Sequence, residues 1–181
     1  MKDWVLASSS KQILGRVQHH VTRIEVQHRG SLLVHILLWV HPDDVARVAD
    51  EIMAYVPAHY STANQGFIPP DMEAEPLEYQ LYKIVLRKHM HKCTPWRGKA
   101  DGCRNEHGKC KMLFPFSVSP TLGTTFDRHI LRYVYCRPRE CDGNVIPFHH
   151  TVALIWNAST NIQRITGSAW SFYVLKPYSM P

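Results

Sequence analysis

No run of about 18 apolar residues occurs in this 181-residue chain, so no segment reads as a membrane-spanning helix. Met1 to Gly15 contains Lys2 but neither a long apolar centre nor a small-residue cleavage site, which argues against a secretory signal. No C-x-x-C pair is present, and the five cysteines are odd in number, so a secreted disulfide scaffold is not expected. These absences point to a nuclear or otherwise intracellular chain that is not secreted and does not meet a membrane. No G-x-x-x-x-G-K-S/T phosphate loop occurs either, which excludes ATP hydrolysis by that route.

What is present is a basic chain with enough apolar residues, 45%, to form a core. The formal net charge of +6 favours a polyanionic partner, nucleic acid first. The charge is uneven. From Asp43 to Glu78 eight acids face the single base Arg47, whereas from Lys83 to Lys111 nine bases face Asp101 and Glu106. Phosphate contacts are therefore expected from the second segment, at Lys88, Lys92, Arg97, Lys99, Lys109 and Lys111. The same lysines would also serve simply to keep an exposed loop soluble.

The pattern of apolar residues predicts an α+β domain, a central antiparallel sheet with flanking helices, over residues 1–181. Residues 20–40 read as a hairpin turning at Arg29-Gly30-Ser31, and Leu32 to Val40 is apolar enough for a central strand buried on both faces. A helix follows Pro42, capped by Asp43 or Asp44, with Val45, Val48, Ala49, Ile52, Met53 and Val56 at helical spacing. The proline-bearing stretch 57–76 reads as a loop, and a second helix runs from Pro76 to about His89. Residues 90–128 are an irregular, basic Cys/His-rich insertion. After it come a strand over His129 to Arg137, a helix over Phe148 to Ala158, a short strand over Asn161 to Thr166 and a last helix from Ser168 to Lys176. The late aromatics Tyr133, Tyr135, Phe148, Trp156, Trp170 and Phe172 could stack on unpaired bases, but their spacing places most of them in the core.

Two groups of residues carry chemistry. Alternation along the hairpin sets His35 on one face of its strand, and Glu25 and Gln27 on one face of the other, where they would suit a hard divalent cation or leave His35 as a buried structural imidazole. In the insertion Cys93, Cys103 and Cys110, with His89, His91 or His107, offer thiolates and imidazole for a structural Zn²⁺, His91 being the preferred fourth ligand. Nine residues separate the first two cysteines and six the next two, which is no common finger spacing, and a loop with unengaged thiols is the alternative.

The stretch from Arg23 to Trp39 resembles the helicase-like domain of Helitron transposases, whose hallmark is an E-F-Q-x-R-G-x-P-H-x-H-x-L-L-W hairpin. The resemblance recurs in order through residues 20–178. The blocks are the Cys-rich region ending at Phe114-Pro115, then Val145-Ile-Pro-Phe148, then Trp156 to Gln163, and finally Ser168 to Lys176. It implies a rolling-circle (HUH-type) nuclease fold that nicks and joins single-stranded DNA. In that chemistry Mg²⁺ or Mn²⁺ polarises the scissile phosphate and a tyrosine forms a 5′-phosphotyrosine. His35 matches the second histidine of the family's metal pair, Gln27 or else Glu25 the third ligand, and Tyr173 the first catalytic tyrosine, beside Lys176. Leu33 stands where the family has its first metal-binding histidine. Pro177 stands where it has its second tyrosine, with Tyr178 one residue out of register. These departures imply weak or absent nicking, and a helicase domain or protein outside this chain as partner. The reading from another class is a non-catalytic DNA-binding or zinc-stabilised interaction module on the same fold.

Overall fold

The computed structural model describes residues 12–26, 32–57, 77–94, 103–129 and 131–165. Within them mixed helices pack with three two-stranded antiparallel sheets, an α+β arrangement without the single central sheet expected from the sequence.

The hairpin forms as its alternation requires. Strands β1 (Val17–Val26) and β2 (Leu32–Val40) pair antiparallel with Arg23 opposite His35, Glu25 opposite Leu33 and Ile24 opposite Val34. Among the described residues β2 has no second neighbour, and of its side chains only Leu37 is buried, while Leu32, Val34, Ile36 and Trp39 are exposed. The expectation of a strand buried on both faces is thus corrected. A continuous apolar run shows that a strand can be covered, not which elements cover it.

Gly15 opens the hairpin at φ +75°, and a Cβ there would lie 2.7 Å from Val40 and 2.9 Å from Asp44, so only glycine permits this approach. The following Arg16 donates to Asp44 from its backbone (2.8 Å) and Nε (2.9 Å), and reaches Asp43 with Nη2 at 3.0 Å. The side-chain hydrogen bond from Arg16 is the main reason the Asp44 carboxyl is held down at about 2. Both acids sit in the first turn of α1 (Pro42–Asp50), where the helix dipole also favours them. The cap is His41, whose ring accepts from the Asp43 amide at a long 3.4 Å, rather than either aspartate. Asp44 is already committed to Arg16.

The α1 helix stops at Asp50, and Ile52-Met53, which continue the helical spacing, instead form β3. They pair with β6 (Phe148–His149), Ile52 opposite His149. Tertiary pairing overrides a period that only two residues carried. Helix α2 (Leu77–Lys88) has Glu78 in its first turn and Arg87 and Lys88 in its last, and buries Leu81, Tyr82 and Val85. Together with Val56, Val145, Phe148 and Ala153 of α3 (His150–Trp156) these residues form the main core. A smaller cluster joins Ile52, Ala54 and Tyr135.

Strand β4 (Ser119–Asp127) lies inside the stretch read as irregular, and pairs with β5 (Arg132–Arg137). Its Ser, Thr, Pro and Gly content hides the strand. Asn161–Ile165, expected as a strand, has no regular structure, although Ile162 donates to Pro147 at 2.9 Å. Tyr135 and Phe148 are buried as expected.

The two halves of the described chain are fastened by buried charge. Asp142, in the short 3-10 helix Glu140–Asn144, is fully enclosed. It accepts from the Val56 amide (2.9 Å) and from Arg139 Nε (2.9 Å) and Nη2 (3.0 Å). Arg139 also donates to the Val56 carbonyl, and the buried Arg137 donates to the Ala54 carbonyl at 2.9 Å. Burial brings Arg137 down to about 10, still charged at neutral pH. His149, 1% exposed, meets Glu51 at 2.8 Å, and Arg47 holds the other carboxylate oxygen at 2.8 Å.

Two outcomes follow for stability. Asp142→Ala leaves the buried Val56 amide without its acceptor and loosens the partly exposed Arg139, and should cost about 1–3 kcal/mol in urea unfolding. Burial also holds the His149 imidazole below its ordinary pKa. Its folded pKa is depressed, so its contribution to stability is intact above the unfolded value, about 6.5, and is lost as pH falls below it. His149→Gln, which can still donate to Glu51, should flatten that part of the stability–pH curve.

Candidate metal centre

The Cys/His segment is tied to the core before it reaches its ligands. His89, at the end of α2, is fully buried against Phe148, with Nε2 2.8 Å from the Thr160 hydroxyl. Met90 bridges to Val145, flanked by Ile146 N–His89 O (2.7 Å) and His91 N–Asn144 O (2.8 Å). This short pairing fixes where His91 and Cys93 leave the body of the protein.

The other two cysteines flank a tight turn. Arg104 bridges to Cys110, and Lys111 donates to the Cys103 carbonyl at 2.6 Å. Asn105 holds the turn, its Oδ1 accepting from the His107 (3.0 Å) and Lys109 (2.9 Å) amides, while Gly108 takes φ +72°. Cys103 and Cys110 thereby stand side by side at the mouth of the turn. Thr94 joins the two halves: its amide donates to Cys103 Sγ at 3.2 Å and its Oγ1 accepts from the Cys103 amide at 3.0 Å.

The result is one cluster. The ligand atoms of His91, Cys93, Cys103 and Cys110 all lie within 4.8 Å of one another. His91 Nε2 and Cys110 Sγ are 3.4 Å apart, close to the edge of about 3.5 Å that a tetrahedron with Zn–N near 2.0 Å and Zn–S near 2.3 Å would have. The group could hold a metal ion such as zinc. Phe114 stacks on the His91 ring at 4.2 Å between centroids and so orients it. Desolvation lowers the His91 pKa, favouring the neutral imidazole that a metal needs. At Cys103 burial works against the thiolate, but hydrogen bonds from Thr94 and the neighbouring thiols outweigh it and the pKa falls. At Cys93 burial, reinforced by Cys103 and Cys110, pushes the thiol up.

The four residues expected as zinc ligands are thus the four brought together. His89 is in the core, and the His107 side chain, 74% exposed, faces Glu106 at 3.5 Å. Cys136 is buried and Cys141 exposed, both away from the cluster. Lys88, Lys92, Arg104, Lys109 and Lys111 are exposed on and beside this segment. The roles of Thr94 and Phe114 had no signal in the sequence, because a hydroxyl and a ring become informative only once the turn brings Cys103 beside them.

The hard-cation site is less complete. Glu25 and His35 do share a face, with 3.5 Å between Oε2 and Nε2. Arg23 lies on the same face and holds the other Glu25 oxygen at 2.9 Å. A cation there would meet a carboxylate already neutralised by a guanidinium. Gln27, Tyr173, Lys176, Tyr178, Arg97 and Lys99 lie outside the described residues. Among the described residues no second group of three or more His, Cys, Asp or Glu gathers as the Cys/His cluster does, and no helix is long and apolar enough to cross a membrane. In comparisons with protein-family models, curated proteins and solved structures, nothing matches the chain.

The chain should bind one thiophilic metal ion. Elemental analysis and Co²⁺ absorption should show a site that Cys103→Ser or His91→Ala abolishes. Thr94→Ala, which removes only the hydroxyl behind Cys103, should weaken affinity about 10- to 100-fold.

Proposed function

We propose that the chain is a zinc-stabilised, single-stranded-DNA-binding domain of Helitron-like descent on a rolling-circle nuclease-like fold, in which nicking is weak or lost. The observation that carries the reading is the His91–Cys93–Cys103–Cys110 quartet, set in a strongly basic segment. Three thiolates and one imidazole in a compact group suit Zn²⁺ better than Mg²⁺ or Mn²⁺, which prefer oxygen. Zinc here is structural, because four protein ligands leave no open position for substrate. Its contribution is to hold the turn, and the cations on it, in one geometry.

The ordered motif blocks over residues 20–178 and the net charge of +6 support a DNA partner. A second reading keeps the nicking activity, with Tyr173 as nucleophile and a metal at His35, Glu25 and Gln27. The shared face of Glu25 and His35 favours it. Leu33 opposite Glu25, and the Arg23 guanidinium on that carboxylate, count against a strong cation site.

Binding to a single-stranded oligonucleotide should fall with salt, with a log–log slope of about −2 to −3 if three or four phosphates are neutralised. Salt-independent binding, or none, would exclude the DNA reading. With Mn²⁺ or Mg²⁺ the same oligonucleotide should be cleaved weakly or not at all. A robust covalent adduct that disappears in Tyr173→Phe would instead establish the nicking enzyme.

A further inference from the structure

We infer that Met112–Val118, with the cations of the adjoining turn, is the surface on which unpaired bases lie. This rests on the reading of the chain as a single-stranded-DNA-binding zinc domain, and names the surface that performs it.

Four large apolar side chains in these seven residues face solvent: Met112 (60% exposed), Leu113 (56%), Phe116 (38%) and Val118 (46%). Isolated exposed apolar residues need no explanation, but four within seven consecutive residues of one segment do. The segment is held by a local turn at one end and by the 3-10 helix near its middle. Leu113 donates to Cys110 at 3.0 Å, and Phe116 donates to Gly143 at 2.9 Å. A Cβ on Gly143 would lie 2.7 Å from the Phe116 carbonyl, so the segment sits flush on the 3-10 helix. Phe114 stacks on the metal-cluster residue His91, Phe116 meets Phe114 edge-on at 4.8 Å, and the buried Arg137 guanidinium lies 4.8 Å from the Phe116 centroid. Leu113 adopts φ +67°, unusual for a leucine, in this exposed position.

The charge around this apolar strip selects its occupant. Arg104, Lys109 and Lys111 are exposed on the turn that leads directly into it, Lys92 is exposed beside the cluster, and Glu106 is the one acid in residues 103–118. Cations next to an exposed aromatic ring are what a single strand uses, phosphates on the cations and a base face on the ring, here Phe116 flanked by aliphatic side chains. An acidic peptide would match the cations and leave the platform unused. An anionic membrane would match both only if the strip could insert, whereas its backbone is fastened to the protein body at Gly143.

The test uses the full zinc-loaded chain and a fluorescent oligo(dT) of about 12 nucleotides, read by anisotropy across a salt series. Two variants probe the platform: Met112→Ala with Leu113→Gly, the glycine suiting the positive φ, and Phe116→Leu, which keeps an apolar filler. Each should retain one zinc per chain and an unchanged salt slope while binding about tenfold more weakly. Lys109→Ala should instead make the slope shallower by about 0.7. Platform variants that bind like wild type would overturn this assignment and leave the DNA-binding reading standing. Wild-type protein that holds zinc but binds no oligonucleotide would overturn both. So would oligonucleotide binding intact in the variants, with loss of binding to phosphatidylserine vesicles, overturn the base platform in favour of a membrane surface.

Discussion

The enclosed carboxylate of Asp142 is the constraint on which the geometry of this protein depends. It ties the 3-10 helix and its N-cap Arg139 to Val56, after β3 and 86 residues earlier in the chain, and the buried Arg137 adds a parallel bond to the Ala54 carbonyl. The Asp142 carbonyl also receives the Val145 amide, and Val145 is the bridge partner of Met90. One residue beyond Met90 is His91. The position of the Cys/His cluster is therefore inherited, through a few hydrogen bonds, from an enclosed carboxylate in the body of the fold. A buried charge stripped of its partners is expensive, whereas one supplied with all of them gives the chain a single arrangement.

That dependence runs in both directions. The loop from Cys103 to Lys111 has almost no apolar content of its own to bury, so turn hydrogen bonds and thiol contacts hold it. An ion shared by Cys93, Cys103, Cys110 and His91 would convert crowded, mutually unfavourable thiols into a charge-compensated centre. Metal binding and folding of this segment would then be one equilibrium, felt in the core through His91 and the neighbouring His89.

How much of this could be read from the sequence depended on the range of the information. The β1–β2 hairpin, α2, β5 and α3 were legible because their periodicity is local and several residues long. The ligand set was legible as well. Cysteine and histidine advertise their chemistry, and the structure gathers the four residues that chemistry selected. The fate of Ile52 and Met53 was not legible, because their pairing partner lies almost a hundred residues away at Phe148 and His149. Nor was β4, whose Pro, Thr and Gly content reads as loop until β5 supplies a partner. The exposed face of β2 was misread for a related reason: hydrophobicity records what a strand tolerates, and cover is a property of the whole fold.

Glu25 and His35 show why a family resemblance must be tested against electrostatics residue by residue. Sharing a face is necessary for a cation site, and the hairpin register provides it. A divalent ion also needs uncompensated negative charge and enough donors to replace its water. Here the register places Arg23 opposite His35 and Leu33 opposite Glu25, and the guanidinium takes one carboxylate oxygen for itself. The same strand positions that would make a Lewis-acid centre with two imidazoles therefore make an internally neutralised ion pair with one. The Cys/His cluster has the opposite balance, with surplus donor charge and no cationic side chain among its four ligands. If one metal is to be held by this chain, the balance of charge favours the Cys/His cluster over the Glu25–His35 face.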